Sequence, residues 1–334
     1  MIACGVKARV FRFIVEEILR ATASVAHGTP WAHASVGANL GEALHNLVTN
    51  LSAMPETSFA TVRTLLFTPG DRSDRFAKAP STGADGQILD LEDAVGSAQK
   101  DAARAVAIDY LRTAPRGDGF LRCLRINSLQ TPAGLKDVSA LADSHTRPDA
   151  IVVPKSEHPA ELHLLACVLA PIPVPFIALI ETAVGLRHAE DIAHQPGVVA
   201  LVFGGVDLAA DLGAELAWDP MLVHRAHVVR AAAGAGIVAW DVPYLRLRDP
   251  DDGPLIEEAR RSKALGYTGK MAVHPRQIAP ILSVFTPSAD EVAHARRVVE
   301  AYERAAGGVC EVDGKMIDVP VYRSAKRVVN LASP

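Results

Sequence analysis

The sequence contains few cysteines, and their spacing matches no cysteine-dependent structure. Its four cysteines, Cys4, Cys123, Cys167 and Cys310, lie far apart and form no C-x-x-C pair. Zinc sites and disulfide frameworks need regularly spaced cysteines, so neither is indicated. We also recognise no secretory leader. These features predict reduced thiols and a cytoplasmic protein.

The chain also lacks long basic or apolar runs, which excludes two classes of partner. With a formal net charge of -4, it has no excess of positive charge for binding nucleic acid. Proline, glycine or charged residues interrupt its apolar runs before they reach the roughly 20 residues of a membrane-spanning helix. We therefore expect no nucleic-acid or membrane partner and predict that the ligand is a small molecule.

The overall composition is that of a globular protein with ample material for a core. Of 334 residues, 49% are hydrophobic and 22% are charged, which argues against a disordered chain. This length suits two average domains, but it also suits one α/β barrel with appendages. Composition alone does not choose between the two.

The first sixty residues differ from the rest and are predicted to form an appendage, residues 1–60. Helical periodicity over residues 10–21 is followed by a stretch without a clear period. Basic residues near the start would suit a transit peptide, but Glu16 and Glu17 argue against one, because such leaders avoid acidic residues. The alternative is that natural translation begins at Met54, just before the first strong strand signal.

From residue 62 onward, short apolar segments alternate with helical stretches, as in parallel β/α structures. Eight strand segments are the number in a (β/α)8 TIM barrel, which we predict over residues 61–285. A doubly wound open sheet is the alternative, but the Gly-rich phosphate-binding fingerprint that usually follows its first strand is missing. The predicted strands cover residues 62–68, 87–91, 121–126, 150–154, 176–180, 199–203, 237–241 and 270–273, and the helices include 100–112, 159–169, 183–194, 221–233 and 255–265.

Residues 286–334 are predicted to form a C-terminal extension beyond the barrel. They contain a helical pattern over 289–305, a hairpin-like segment and a last helix from Val319. We expect such an extension either to cover the outside of the barrel or to reach a neighbouring subunit.

Two carboxylates directly follow consecutive predicted strands, where the active sites of TIM barrels lie. Glu181 follows the fifth strand, and Asp207 follows the sixth after Gly204 and Gly205. Together they could hold a hard divalent cation, and Mg²⁺ suits oxygen ligands of this kind. For each residue alone, capping of the following helix is an equal alternative, with helices beginning near Thr182 and at residue 208.

Two basic residues and an acidic cluster lie at the ends of the second, third and fourth predicted strands. A guanidinium at Arg125 could hold a carboxylate or enolate oxygen, or pair with Glu92 or Asp93. The cluster of Asp90, Glu92 and Asp93 would be costly to bury unpaired, so it should bind basic residues or water on a metal. Lys155 suits a charge partner for this cluster better than a Schiff base.

Six motifs together resemble the citrate lyase beta subunit-like proteins, which belong with malyl-CoA and citramalyl-CoA lyases in the HpcH/HpaI aldolase group. The similarity runs from about residue 62 to residue 332. The motifs are RTLLFTPG (63–70), LDLEDAV (89–95), RIN (125–127), PK (154–155), IETA (180–183) and FGGVD (203–207).

This resemblance implies a TIM barrel that assembles as a homotrimer or hexamer, with Mg²⁺ bound by Glu181 and Asp207. It also implies that Arg125 binds the oxygens of the substrate. By the same resemblance, Asp318 is an acid/base supplied by the next subunit. We add Glu92 to the expected catalytic residues. The positions that match contacts to coenzyme A in the resembling lyases are Phe67, Arg72 and Lys78.

The resembling enzymes imply a magnesium-dependent lyase that acts on a 3-hydroxyacyl-CoA thioester. The products would be acetyl-CoA or propionyl-CoA and a 2-oxo acid. Three alternatives are a malyl-CoA thioesterase, a citryl-acyl-carrier-protein lyase subunit of a citrate lyase complex, and a regulatory barrel without catalysis. The presence of Glu181, Asp207, Arg125 and Asp318 together argues against the last.

Overall fold

The computed structural model describes residues 59–116, 119–247 and 249–332. The predicted helix at residues 10–21 and the alternative start at Met54 lie outside the described residues. In the parts of the chain that are described, no helix is both long enough and apolar enough to cross a membrane.

Eight parallel strands form one sheet in the order of the sequence, from β1 to β8. A parallel bridge between Leu66 and Ala272 brings the last strand segment beside the first. There Lys270 N donates to Arg63 O (2.9 Å), and Ala272 N donates to Leu65 O (3.0 Å). The sheet is therefore a barrel, and the open-sheet alternative is wrong. The strands are β1 (Leu65–Pro69), β2 (Gly86–Asp90), β3 (Leu121–Arg125), β4 (Ile151–Val153), β5 (Phe176–Ile180), β6 (Val198–Phe203), β7 (Val238–Asp241) and β8 (Gly269–Lys270).

Helices follow the strands and surround the barrel, as the alternating sequence pattern predicts. They are α1 (Ser73–Phe76), α2 (Lys100–Thr113), α3 (Pro132–Ser144), α4 (Pro159–Val168), α5 (Ala183–Arg187), α6 (Ala189–Ala193), α7 (Gly205–Leu212), α8 (Trp218–Ala235), α9 (Gly253–Leu265) and α10 (Ile278–Phe285). Short 3₁₀ segments lie at Phe59–Thr61, Ala79–Thr82, Ser97–Gln99 and Pro275–Gln277.

The barrel has two apolar layers because side chains alternate between the two faces of each strand. One layer fills the interior of the barrel and includes Leu65, Ile88 and Trp240. The other lies between the strands and the helices and includes Leu66 and Leu89. Strands that are buried on both faces appear in a sequence as continuous apolar runs, which is why all eight could be recognised.

The C-terminal extension is a helix, a hairpin and a second helix, as predicted. Helix α11 (Ala289–Arg304) precedes the antiparallel strands β9 (Cys310–Val312) and β10 (Lys315–Ile317), and α12 (Val319–Ala332) follows. Val298, Tyr302, Ile317 and Ala325 form a small apolar core of its own. Arg63, just before β1, donates to the carbonyl of Leu331 (2.7 Å), which ties the end of α12 to the amino end of the barrel.

Two predicted helices differ from the structure. The predicted helix at 183–194 is divided at His188, whose Nδ1 lies 2.8 Å from the carbonyl oxygen of Glu157. The helix predicted from residue 208 begins earlier, at Gly205, so that Asp207 lies inside its first turn. The eighth strand is also shorter than predicted, and Ala272 joins it only through the isolated bridge to Leu66.

Candidate functional site

Three charged side chains face the mouth of the barrel at the carboxyl ends of the strands. Asp90 and Arg125 are the last residues of β2 and β3, and Glu181 directly follows β5. Each lies two positions after a residue that points into the barrel, so each points to the same side. The three inward-facing residues are Ile88, Cys123 and Leu179.

Arg125 is held by a two-pronged ion pair with Asp90, its register partner on the neighbouring strand. Its Nε and NH2 donate to the two carboxylate oxygens at 2.7 and 2.6 Å. Its NH1 lies 2.9 Å from Glu92 Oε2 and 3.8 Å from Asp93, and its guanidinium lies over the ring of Phe67. Burial alone would lower the pKa of Arg125, but the hydrogen bonds to Asp90 raise it, so this cation stays charged.

The structure confirms the predicted ion pair of Arg125 with Glu92 and adds a partner that the sequence did not indicate. Asp90 makes the hydrogen bonds to the guanidinium, whereas Glu92 and Asp93 make ion pairs with NH1. Among the described residues, Glu92 Oε2 accepts no hydrogen bond, so its contact with Arg125 is an ion pair only. Asp90 thus accepts from Nε and NH2, while NH1 lies beside Glu92 and Asp93 without donating a hydrogen bond to a described residue.

Glu92 and Lys155 form a second ion pair beside the first. Lys155 Nζ donates to Glu92 Oε1 at 2.7 Å, which is the charge-partner arrangement rather than a Schiff-base one. Burial raises the pKa of Glu92, and the nearby charge of Arg125 opposes that effect. Burial would lower the pKa of Lys155, but the hydrogen bond to Glu92 raises it. Glu92 therefore orients two cations, which favours a positioning role.

Glu181 is buried and is held by the backbone of Lys155. The Lys155 N–H donates to Glu181 Oε1 at 2.7 Å, and Lys155 has a positive φ of 46°. Such a conformation is uncommon for a residue with a side chain and is typical of functional sites. Burial, together with the charges of Glu92 and Asp207, raises the pKa of Glu181 to about 7. Glu181 does not cap a helix, because Thr182 Oγ1 accepts from Gly185 N and caps α5.

Asp207 lies in the first turn of α7, half-buried and close enough to Glu181 to raise its pKa. The N-cap position belongs to Gly204, so the capping alternative for Asp207 is also wrong. Asp207 makes no hydrogen bond or ion pair with any described residue. A carboxylate in the first turn of a helix is favourable, and here its oxygens remain available to a ligand.

The donor set fits a divalent cation with oxygen ligands. Glu181 accepts a single hydrogen bond, Asp207 accepts none from the described residues, and the two negative charges repel each other. A bound Mg²⁺ would relieve this repulsion, and it needs only one or two protein carboxylates because water and substrate supply the remaining oxygens. No group of three His, Cys, Asp or Glu side chains is arranged for metal binding within the described ranges.

Gly204 leaves the space that the Glu181 side chain occupies. A Cβ at position 204 would lie 2.3 Å from Glu181 Cβ and 2.7 Å from Oε2. We expect Gly204→Ala to displace Glu181, to weaken Mg²⁺ binding at least about tenfold and to destabilise the fold by about 1–3 kcal/mol. Calorimetric titration with Mg²⁺ and urea unfolding measure the two effects.

The matched control for that prediction is Gly234→Ala in helix α8. A Cβ at position 234 has nothing within 4 Å, and alanine is favoured over glycine inside a helix. Mg²⁺ affinity should therefore stay unchanged while stability stays equal or rises. Equal Mg²⁺ affinity in the Gly204→Ala variant and the parent would show that Glu181 does not bind the metal.

The three residues expected to contact coenzyme A lie around β1 and the segment after it. Phe67 is on β1, half-buried, and its ring faces Arg125 in the barrel mouth. Arg72 and Lys78 are exposed on the following segment, where Arg72 pairs with Asp74 at 2.9 Å. Lys78 Nζ makes no hydrogen bond or ion pair with the described residues. The structure thus places an aromatic ring at the mouth and two cations on the rim segment.

Asp318 is not brought to the barrel mouth by contacts within the chain. Its Oδ1 accepts from Val321 N (3.2 Å) and its carbonyl accepts from Tyr322 N (2.9 Å), so that it begins α12. It forms no hydrogen bond or ion pair with Arg125, Glu181 or any other described residue at the strand ends.

Sequence reasoning missed two residues that support the site. Lys100 Nζ donates to the carbonyls of Leu91 and Glu92 and to Asn127 Oδ1, which joins the segments after β2 and β3. Asp137 on α3 accepts from the backbone and side-chain nitrogens of Asn127, both at 2.7 Å. Both residues lie in helices outside the motifs, and no sequence signal marks them.

Comparison with known proteins gives consistent matches over most of the chain. The family model described as HpcH/HpaI aldolase/citrate lyase matches residues 63–275. A citrate lyase subunit beta-like protein of Deinococcus radiodurans is 35% identical, covering 81% of this chain and 97% of the relative. Mitochondrial citramalyl-CoA lyase of Rattus norvegicus is 30% identical, covering 84% and 89%. A (3S)-malyl-CoA thioesterase of Cereibacter sphaeroides is 34% identical, covering 77% and 89%.

A solved structure shows the same architecture. It is protein CitE from Mycobacterium tuberculosis in complex with magnesium, acetoacetate and coenzyme A, which is 34% identical with a TM-score of 0.68. The match covers 82% of this chain and 99% of that one. The eight-stranded barrel described above is thus shared with a protein crystallised with both magnesium and coenzyme A.

Proposed function

The chain belongs to the HpcH/HpaI aldolase/citrate lyase family, and from this premise we propose that it is a magnesium-dependent lyase acting on 3-hydroxyacyl-CoA thioesters. The relatives include enzymes named as a citramalyl-CoA lyase and a citrate lyase subunit beta. The proposed reaction breaks the bond between C2 and C3 of a thioester such as malyl-CoA or citramalyl-CoA. The products are acetyl-CoA or propionyl-CoA and a 2-oxo acid.

The pairing of Glu181 with Asp207 at the ends of β5 and β6 supports this proposal most directly. Glu181 is buried, has a pKa raised to about 7, and lies near a second carboxylate that has no protein partner among the described residues. When bound there, Mg²⁺ supplies a positive charge that stabilises the oxygens of a 2-oxo acid. If the two carboxylates served only to stabilise the fold, they would need basic partners, and Asp207 has none among the described residues.

The other residues of the mouth would bind and orient the substrate. Asp90 fixes the Arg125 guanidinium through Nε and NH2, and NH1, which is ion-paired with Glu92 but donates no hydrogen bond to a described residue, would donate to a carboxylate or developing oxyanion of the substrate. Lys155 fixes Glu181 through its backbone N–H and Glu92 through its side chain. In cleavage the hydroxyl proton is lost, the C2–C3 bond breaks, and the thioester enolate takes up a proton at carbon.

Coenzyme A would enter beside β1. In the proposed arrangement Phe67 packs against the thioester arm near Arg125, and Arg72 and Lys78 lie near the phosphates. Exposed cations without strong protein partners suit this role, because each can turn towards a phosphate group. Arg72 would exchange its ion pair with Asp74 for a phosphate.

The direct test is an assay of the purified full chain on malyl-CoA, citramalyl-CoA and methylmalyl-CoA, with Mg²⁺ and with a chelator. We expect at least one thioester to yield a 2-oxo acid, detected as its phenylhydrazone, and we expect the chelator to abolish the reaction. If none of the three thioesters were turned over in the presence of Mg²⁺, the lyase proposal would be wrong.

A thioesterase is the second candidate, because the (3S)-malyl-CoA thioesterase relative is as similar as the lyases. The two activities release different products. A lyase leaves the thioester bond intact, whereas a thioesterase releases free coenzyme A, whose thiol is detected with a disulfide reagent. Free thiol in amounts equal to the substrate consumed, without any 2-oxo acid, would favour the thioesterase.

We further propose that the active site is shared between subunits of a homo-oligomer, with Asp318 reaching the barrel mouth of a neighbour. Within one chain the hairpin and α12 pack on α11, and the end of α12 is tied to the amino end of the barrel. Asp318 there caps α12, and asparagine caps helices equally well, so that Asp318→Asn should fold normally. In the proposed role Asp318 gives the proton to the enolate carbon.

Co-expression of the Asp318→Asn and Glu181→Gln variants tests the shared site. Each variant alone should be inactive, while random mixing of subunits should restore about one quarter of parental activity, since a quarter of the sites combine two intact halves. Asp313→Asn, on the same extension and exposed, is the control and should keep full activity. No recovery on mixing, or full activity of Asp318→Asn alone, would contradict the shared site.

A further inference from the structure

A second crevice lies outside the barrel, between helices α8 and α9 and the segment that follows β7. Its volume is about 600 Å³, within the usual range for small-molecule sites. It shares no lining residue with the site of Arg125, Glu181 and Asp207. The lining includes Leu216, Trp218, Arg225, Leu245, Arg246 and Arg261.

The inner wall of this crevice carries a buried arginine with two unused nitrogens. Arg225 is only 3% exposed, and its Nε donates to Asp241 at 3.1 Å. Its guanidinium lies 4.7 Å from the ring centroid of Phe203 and 4.8 Å from that of Trp218. Neither NH1 nor NH2 donates a hydrogen bond to a described residue, and NH1 is fully buried. Buried donors without acceptors are rare and costly.

One cation at the rim of the crevice has no partner among the described residues. Arg246 is exposed there and makes no hydrogen bond or ion pair with a described residue. Arg261 lies 4.3 Å from the ring centroid of Trp218 and is paired with Asp219 at 3.3 Å. Of the two acidic lining residues, Glu258 is already bound by the fully buried ammonium of Lys270 at 2.6 Å, so Glu257 is the carboxylate that Arg246 offsets.

Two exposed leucines and a tryptophan form an apolar wall of the crevice. Leu216 and Leu245 are 42% and 50% exposed, and the half-buried ring of Trp218 lies between Arg225 and Arg261. The crevice therefore combines an apolar wall with one buried guanidinium, that of Arg225. This combination suits a ligand with an apolar body and one carboxylate or phosphate group.

We propose that this crevice binds a small organic anion, with its carboxylate or phosphate held by Arg225 and its apolar body lying on Leu216, Trp218 and Leu245. Arg246 adds a second cation at the rim. The site is independent of the proposed lyase activity, since it uses none of the residues at the barrel mouth.

Trp218 provides a direct measurement of binding. Four probes test the anionic group and the apolar body separately. Hexanoate and hexyl phosphate carry both, hexanamide lacks the charge, and inorganic phosphate lacks the apolar body. We expect hexanoate or hexyl phosphate to change the tryptophan fluorescence saturably, with the tighter of the two identifying the anionic group. Hexanamide and inorganic phosphate should bind at least about tenfold more weakly. Trp218→Phe should remove the fluorescence change but leave the heat of binding in calorimetry.

Two variants test the anion contacts separately. Arg225→Gln should weaken hexanoate or hexyl phosphate binding at least about tenfold. Arg246→Gln, at the exposed rim, should weaken it about threefold and does not touch Asp241, so it remains informative if the first variant fails to fold. The exposed Arg112→Gln on α2 is the control and should bind like the parent.

Three results would overturn the proposal. These are the absence of saturable binding by both anions, equal binding of hexanamide, and competitive displacement by coenzyme A, which would assign the crevice to the thioester site. Failure of the lyase assay with normal anion binding would affect only the proposed function. Failure of anion binding with normal lyase turnover would affect only this site.

Discussion

Replacement of Glu181 by Gln or of Asp207 by Asn should lower magnesium-dependent turnover by about a thousandfold or more, the scale expected when the charge stabilisation supplied by a metal is lost. Each substitution keeps the shape of the side chain but removes one of the two negative charges that face each other at the ends of β5 and β6. The measurement is kcat/KM across a Mg²⁺ titration, together with Mg²⁺ affinity by calorimetry.

Folding should survive the Glu181→Gln substitution because the amide resembles the protonated acid. Burial raises the pKa of Glu181 to about 7, so below pH 7 the folded, metal-free protein favours the protonated form. The stability that this proton provides is complete below the usual carboxyl pKa and is lost as pH rises through about 7. Without metal, the variant should therefore match the parent in acid and exceed its melting temperature above pH 7.

Surface carboxylates provide matched controls for this pair of substitutions. Glu190→Gln removes an exposed partner of Arg230, and Asp219→Asn removes an exposed partner of Arg261. Both should leave turnover and Mg²⁺ affinity unchanged. If the Glu181 and Asp207 variants kept metal-dependent rates within about threefold of the parent, the assignment of the metal site would be wrong.

The barrel could be predicted from the sequence because each strand is buried on both faces. Such strands appear as short continuous apolar runs, and eight of them alternate with helical patterns. Boundaries that depend on contacts between distant residues could not be predicted. The break between α5 and α6 at His188 is an example, because His188 contacts the carbonyl of Glu157 and lies against the ring of His158.

The sequence predicted which residues form the site, but not which of them contact each other. Position after a strand identified Asp90, Arg125 and Glu181 as neighbours at one edge of the barrel. The register of β2 and β3, which sets Asp90 opposite Arg125, comes from the closed sheet and not from local sequence. Lys155 has a left-handed backbone conformation, and its N–H donates to Glu181. A lysine gives no indication of that conformation in the sequence, so this contact could not be predicted either.

The largest stability effect is expected for Lys270→Met, which should lower the free energy of unfolding by about 3–5 kcal/mol at pH 7. Lys270 is fully buried on β8, and its ammonium donates to Asp241 (2.9 Å), to the Val242 carbonyl (2.6 Å) and to Glu258 (2.6 Å). Methionine fills the space but leaves the fully buried Asp241 with less positive charge nearby. Urea unfolding monitored by circular dichroism measures the loss.

The pH dependence separates loss of charge pairing from loss of packing. Burial alone would raise the pKa of Asp241, but Lys270 and Arg225 lower it. A lowered pKa gives stability that is present above the usual carboxyl pKa and is lost as pH falls through the folded value. In Lys270→Met the pKa of Asp241 should rise, so the difference from the parent should shrink on acidification. A packing defect would give the same difference at every pH.

A double variant and a surface control complete the comparison. Lys270→Met with Asp241→Asn removes both charges but leaves the buried Arg225 without its ion-pair partner, so the double variant should be no more stable than Lys270→Met alone. Lys136→Met, at an exposed position beside Asp101, should be indistinguishable from the parent. If the double variant were more stable than Lys270→Met alone, the buried Asp241 carboxylate would be the cause of the instability, and its pair with Arg225 would not offset that cost.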